Sequence, residues 1–224
     1  MFRYETKFVL NEVNFSHFCS WIHSSSSFLN RYPDRKINTL YFDTTNYDSV
    51  KDNLTGISSR AKARLRWYGD SPKSYSVPQF EYKIKNDRAG KKKVFKINKL
   101  ENKVHLLTLS EINALLFSET DLQNYSNFRH YEPTLLVKYS RKYFEDYSGV
   151  RITIDSDIDF SMPSMFRSID DNDSIRSNKR ILEVKYDISS RLYVSSLIKD
   201  LNLVPSRNSK YLNGLAALGQ VQYL

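Results

Sequence analysis

Charges recur two residues apart along this chain. Cations do so in Lys62-Ala-Arg64-Leu-Arg66 and Lys83-Ile-Lys85, and both signs do so in Arg3-Tyr-Glu5-Thr-Lys7 and Glu183-Val-Lys185; in Arg151-Ile-Thr153-Ile-Asp155 polar Thr153 fills the middle place of the same spacing. Successive side chains of a strand point to opposite faces, so a spacing of two stacks these charges on one face. In Ala61–Tyr68 the residues Lys62, Arg64, Arg66 and Tyr68 share one face, and Ala61, Ala63, Leu65 and Trp67 share the other. Cations stacked this way repel one another, and the apolar face has to be covered. The cationic face therefore looks at water or at something strongly anionic.

The totals agree with an anionic partner. The chain has 224 residues, a net charge of +9, 40% hydrophobic and 14% aromatic residues. That is long enough for a sizeable core and too apolar for a disordered chain. Tyr and Phe are abundant and Gly is scarce, which suits strands. The basic balance points to phosphate compounds, nucleic acid or acidic lipid. A single cysteine, Cys19, excludes an internal disulfide and a thiolate cluster for zinc. The N-terminal residues carry no apolar signal core and no run reaches membrane-spanning length, so a soluble, cytoplasmic protein is expected.

The elements that must position these charges follow from periodicity. Strands are predicted over 2–10, 37–43, 61–68, 80–85, 91–99, 134–144, 150–155 and 181–187. Helices are predicted over 13 to about 27, 106–117, 191–201 and 212–218. The 106–117 helix has a start at Ser110/Glu111 or a cap at Thr108. The segments 44–60 and 157–178 read as polar connections, and 69–78 and 87–90 as turns. One domain over residues 1–224 is expected.

Strand after strand thus carries charge on one face and apolar residues on the other. A sandwich with solvated outer faces would explain this. The predicted helices, however, also need apolar surface to cover. If they cover the strands' apolar faces, the charged faces turn toward each other and the sheet closes on a polar interior, for which a barrel of about eight strands is wide enough. That interior would collect Lys7, Lys62, Arg64, Arg66, Lys83, Lys85, Arg151 and Lys185 against Glu5, Glu81, Asp155 and Glu183. Such an excess of cation needs matching. A polyphosphate-type anion, with a divalent metal on the carboxylates, would match it.

Taken in order, the segments Arg3-Tyr-Glu-Thr-Lys-Phe8, Leu40-Tyr-Phe-Asp-Thr44, Lys62-Ala-Arg-Leu-Arg-Trp-Tyr-Gly69, Glu81-Tyr-Lys83, Tyr139-Ser-Arg141, Arg151-Ile-Thr-Ile-Asp155, Ile181-Leu-Glu-Val-Lys185 and Ser209-Lys-Tyr211 span nearly the whole chain. This ordered set resembles the polyphosphate polymerase (VTC) domain family, a branch of the triphosphate tunnel metalloenzyme (CYTH-like) superfamily. The resemblance implies an α+β fold, an eight-stranded antiparallel β-barrel tunnel braced by helices. It also implies transfer of the γ-phosphate of ATP to a growing inorganic polyphosphate chain. Arg64, Arg66, Lys83, Arg141, Arg151 and Glu183 would be catalytic. Lys7, Lys62, Lys96, Tyr139, Lys185, Arg207, Ser209 and Lys210 would bind nucleotide and chain. Glu183, with Glu5, would hold Mn2+ or Mg2+, hard cations that suit carboxylate and phosphate oxygens. The phosphohydrolase branch opens with Glu-x-Glu-x-Lys, whereas here the motif is Arg3-x-Glu5-x-Lys7, which favours the polymerase branch. A stand-alone catalytic domain, without membrane segments or a regulatory domain, is expected.

Other chemistries find no support. The histidines lack metal spacing, Asp170-Asp-Asn-Asp173 lacks the Gly and Glu of a calcium loop, and Gly69 and Gly90 are turn glycines rather than a phosphate-binding loop. A nucleic-acid binder would show exposed aromatics beside its cations, but here the aromatics alternate onto the apolar faces. Hydrolysis of triphosphate, or polyanion binding without catalysis, stays open as an alternative.

Overall fold

A computed structural model describes residues 3–58, 60–86, 89–118, 130–170 and 173–222. The side chains of 3, 85, 86 and 89–91 lie outside that description. The Lys85 side chain, residues 87–88 of the 87–90 turn and residues 171–172 of the acidic loop are therefore outside the described residues.

The chain runs β1 (Arg3–Leu10), α1 (Glu12–Ser24), β2 (Phe28–Asp43), α2 (Asp48–Leu54), β3 (Arg60–Tyr68), β4 (Gln79–Asn86) and β5 (Ala89–Lys96). It continues with α3 (Leu109–Phe117), β6 (Glu132–Asp146), β7 (Arg151–Ser161), β8 (Ile175–Ser177), β9 (Arg180–Asp187), α4 (Arg191–Asp200) and α5 (Lys210–Ala217). The strands form one sheet in the order β1-β9-β7-β6-β2-β3-β4-β5, with β8 against β7. The expected closed barrel is corrected in one respect: among the described residues this order is open, with β1 and β5 as its ends.

Two compact units share this chain. The first comprises Met1–Arg35, Tyr139–Ile158 and Arg176–Ser209; the second comprises Lys36–Lys138, Asp159–Ile175 and Lys210–Leu224. Each has its own core, built as the alternation requires. In the first unit Phe8 and Leu10 of β1, Ile152 and Ile154 of β7, and Leu182 and Val184 of β9 lie under Phe18 and Ile22 of α1 and Val194 of α4. In the second, Leu40 and Phe42 of β2, Ala63, Leu65 and Trp67 of β3, and Phe80 and Tyr82 of β4 lie against Ile112 and Leu116 of α3. Helices thus bury the apolar strand faces in both units, and the charged faces point the other way.

The helix starts follow local chemistry. The Asn11 side chain accepts the Asn14 backbone N–H at 2.8 Å and caps α1. Thr108 caps α3, and its backbone N–H donates to Glu111 at 2.8 Å, a reciprocal capping box. Among the described residues no helix is long and apolar enough to cross a membrane.

The structure departs from the periodicity in three places. β2 begins at Phe28 rather than Ile37, because its first half is exposed on both faces and so does not alternate. The polar connection after Asp43 contains the short helix α2, entered through Tyr47 at φ 56°. The 157–178 segment is not all loop: β7 continues to Ser161 through Asp157 at φ 50°, and β8 follows at Ile175–Ser177.

In α5, a Cβ added at Gly214 would stand 2.6 Å from Leu135 Cδ2 and 2.6 Å from Phe160 Cδ1. Gly214→Ala is expected to overpack this site and destabilise the protein by about 1–3 kcal/mol, read as a fall in thermal midpoint. An unchanged midpoint would mean the helix shifts at no cost.

Candidate active site

In the second unit the register sets Arg64 opposite Glu81, Lys62 opposite Lys83, and Arg66 opposite Gln79. It further sets Lys83 opposite Lys92, and Gln79 opposite Lys96. Lys62, Arg64, Arg66, Lys83, Lys92 and Lys96 therefore share one face of β3–β4–β5, as their spacing requires. Glu81 is the hub of this face. Its side chain is only 6% exposed, yet it takes the Arg64 Nε at 2.5 Å, the Lys92 Nζ at 2.9 Å and the Arg66 guanidinium at 4.0 Å. Thr39 accepts from Arg66 Nε at 3.3 Å. Burial pushes the Glu81 carboxyl up, but Arg64, then Arg66 and Lys92, outweigh it and hold the pKa at about 2. Lys92 was not among the residues the sequence selected. Lys96 lies on the same face four residues on, and the lysine run gave no way to rank them.

This arrangement has a pH consequence. A carboxyl held near 2 when folded, against an ordinary 4.5, stabilises the fold fully above 4.5 and loses that contribution as pH falls toward 2. Glu81→Gln is expected to be less stable than the parent at pH 7 by roughly 3 kcal/mol, with the gap closing by pH 2. Denaturant midpoints measured across that range check it; a gap that does not change with pH would contradict it.

In the first unit, β1 and β9 set Lys7 opposite Glu183 and Glu5 opposite Lys185. β7 sets Thr153 opposite Glu183 and Arg151 opposite Lys185. Lys7 Nζ lies 2.9 Å from Glu5 Oε1 and 3.6 Å from Glu183 Oε2. Lys185 Nζ lies 2.5 Å from Glu183 Oε1 and 3.7 Å from Glu5 Oε2. Arg141 of β6 grips Asp155 of β7 with Nε at 2.5 Å and NH2 at 2.8 Å, a bidentate pair with Asp155 1% exposed. The Arg141 guanidinium also lies 5.4 Å from the centre of the buried Tyr139 ring. Arg151 donates from Nε to Glu145 at 3.2 Å.

The segment before α5 is tied down by the Ser206 N–H, which donates to the Lys7 carbonyl at 2.8 Å. Arg207 on this segment is exposed, and Ser209 precedes the helix that Lys210 begins. Tyr211 has a structural part: its hydroxyl donates to Asp43 at 2.7 Å, and Asp43 also accepts the Thr44 and Ser49 N–H groups at 2.8 and 2.9 Å. Burial, then Asp43, pushes the Tyr211 hydroxyl pKa far up, so it stays a donor.

The structure thus groups Glu5, Lys7, Tyr139, Arg141, Arg151, Glu183 and Lys185 in one unit with Arg207 and Ser209. It groups Lys62, Arg64, Arg66, Lys83 and Lys96 in the other with Lys210. Glu81 and Asp155, which fix the guanidiniums, were visible in the sequence as charges but not as anchors.

Helices on the apolar faces and cations on the other, in this strand order, define the triphosphate tunnel (CYTH-like) fold. Several solved structures resemble it along nearly their whole length. HpAC1 from Hippeastrum, assigned as an adenylyl cyclase and showing a dominant triphosphatase activity, superposes with TM-score 0.58 at 12% identity, covering 99% of this chain and 98% of that one. PH1819 from Pyrococcus horikoshii does so with TM-score 0.52 at 14% identity, covering 97% and 99%. Within this fold the chain belongs to the VTC domain family, whose model matches residues 2–219. Subunit 2 of the vacuolar transporter chaperone complex of Saccharomyces cerevisiae is 23% identical over 235 residues. The match covers 81% of this chain and 28% of the yeast protein, so the chain spans little more than a quarter of that relative's length.

Proposed function

We propose that residues 1–224 act as one polyphosphate polymerase domain that transfers the γ-phosphate of ATP to the end of an inorganic polyphosphate chain. The observation that carries this reading is the set of guanidiniums held by buried carboxylates: Arg64 on Glu81 and Arg141 on Asp155. Phosphoryl transfer needs positioning and charge neutralisation more than covalent help. Arginines fixed before substrate arrives supply both without reorganisation. Membership of the VTC family supports polyphosphate as the anion.

In this reading Arg64, Arg66 and Lys83 of the second unit, and Arg141 and Arg151 of the first, each hold non-bridging phosphate oxygens. Lys7, Lys62, Lys96, Lys185, Arg207 and Lys210, with the Tyr139 and Ser209 hydroxyls, hold nucleotide and chain. A terminal chain oxygen attacks the γ-phosphorus in line, the bond to the β–γ bridging oxygen breaks, and its electron pair leaves with ADP. An anionic phosphate nucleophile requires no strong base.

The donor set fits a divalent cation. Glu5 and Glu183 offer hard carboxylate oxygens around the same two lysines. Beside them Thr153, opposite Glu183, has a buried hydroxyl without a hydrogen-bond partner among the described residues. These residues would hold Mn2+ or Mg2+, which would neutralise charge on the phosphate oxygens.

Incubation with ATP and Mn2+, with products resolved on a gel stained for polyphosphate, tests the reading. A ladder of chains with matching ADP supports it. Free phosphate without chains would replace it with hydrolysis, and salt-sensitive polyphosphate binding without turnover would leave a binding module.

A further inference from the structure

The carboxylates assigned to the metal are not open to it. Around Glu5, Lys7, Glu183 and Lys185 the ion pairs form a closed ring in which every carboxylate oxygen faces an ammonium. Glu5 Oε1 and Glu183 Oε2 face Lys7 at 2.9 and 3.6 Å, and Glu183 Oε1 and Glu5 Oε2 face Lys185 at 2.5 and 3.7 Å. The register enforces the alternation: Lys7 pairs with Glu183 and Glu5 with Lys185 across β1 and β9, so each charge has an opposite charge directly across and another two residues along its own strand.

We propose that this ring is an interlock: Lys7 and Lys185 occupy the metal-binding oxygens until a phosphate anion draws them away, which makes divalent-cation binding depend on the anion. The inference rests on the assignment of Glu5 and Glu183 to the metal.

The physical argument is one of charge. A divalent cation entering the intact ring meets an ammonium within ion-pair distance of every oxygen it would use, two ammoniums in all. Coulomb repulsion between those like charges, in the partly buried setting of Glu183 (side chain 9% exposed), opposes it. Moving the lysines off the carboxylates without a replacement anion costs both ammoniums their carboxylate contacts while a cation arrives beside them. A triphosphate or polyphosphate end supplies the replacement, because its oxygens accept from the same ammoniums. The cation then takes the vacated carboxylates and the phosphate oxygens together. Coupling of this kind is reciprocal: whatever factor the anion adds to metal affinity, the metal adds to anion affinity. Free metal is thereby kept out of a site without substrate, and substrate–metal complexes are favoured over either component alone.

The test uses Mn2+ alone, followed by the loss of its free-ion electron paramagnetic resonance signal on titration into metal-free protein. Lys185→Met and Lys7→Met each open one side of the ring and are expected to bind Mn2+ about tenfold tighter than the parent, within the range usual for coupled sites. Adding Glu183→Gln to either variant should remove that gain. Circular dichroism confirms folding, and Lys185→Gln and Lys7→Gln replace any variant that does not fold. Equal or weaker binding in both lysine variants, with binding still lost on Glu183→Gln, overturns the interlock and leaves the metal assignment standing. Binding indifferent to Glu183→Gln overturns the assignment and the interlock with it.

Discussion

Asp155→Ala is expected to be the most destabilising single change in the first unit, costing about 3–5 kcal/mol. The reason is asymmetry rather than the net worth of the pair. Asp155 is 1% exposed and receives two charge-assisted hydrogen bonds from Arg141, at 2.5 and 2.8 Å. Truncating it leaves a buried guanidinium over the Tyr139 ring without its bidentate acceptor. Burial opposes the Arg141 charge, and Tyr139, Asp155 and Glu183 outweigh that opposition. Removing Asp155 therefore removes a main compensating group. The double variant Asp155→Ala/Arg141→Met should recover part of the loss, because no uncompensated charge then stays buried. Urea unfolding of the parent, the single variant and the double variant measures this. A single variant within 1 kcal/mol of the parent would show that the arginine finds another acceptor (on the usual scale of surface changes, about 0.5 kcal/mol).

Glu183→Gln is expected to give the largest catalytic effect. The change keeps the shape of the side chain and removes the charge that both Lys7 and Lys185 address. Metal-assisted stabilisation of phosphoryl charge is worth several kcal/mol, so kcat should fall by roughly a hundredfold or more. Anion binding should survive, because both lysines and the Arg64–Glu81 face are untouched. Turnover measured with ATP and Mn2+, alongside binding of inorganic tripolyphosphate without metal, separates the outcomes. Loss of turnover with retained binding supports catalysis through Glu183. Unchanged turnover would remove Glu183 from the chemistry.

Much of this was legible in the sequence because a strand's period is two. Lys62, Arg64 and Arg66, or Glu183 and Lys185, share a face in any strand, and the residues between them, Ala63, Leu65 and Val184, are buried on the other. The covering helices followed from their apolar stripes, and Thr108 was already one of the two possible starts for α3. What stayed hidden depends on contacts rather than on period. The first half of β2 is exposed on both sides, so nothing in Asn30–Lys36 alternates. The short α2 starts from a left-handed residue, a backbone state that Tyr47 does not advertise. Alternation placed Glu81 on the charged face but could not say that it would hold Arg64, Arg66 and Lys92 together. That depends on the diagonal reach of long side chains across β3, β4 and β5.

β5 has a second consequence. Among the described residues it stands at one end of the strand order, where outer backbone groups are a template on which another chain could add a strand. Its sequence there is Lys91-Lys-Lys-Val-Phe-Lys96, and lysines are among the residues that blunt such edges, since an approaching strand must desolvate them and meet their charge. Lys96, assigned to the phosphate chain, and its neighbour Lys92 on the same face therefore also act as gatekeepers against self-association. Neutralising Lys92 or Lys96 to probe anion binding would expose Val94, already 46% accessible, on a less guarded edge. Loss of solubility in such variants would then report on the edge rather than on the ligand.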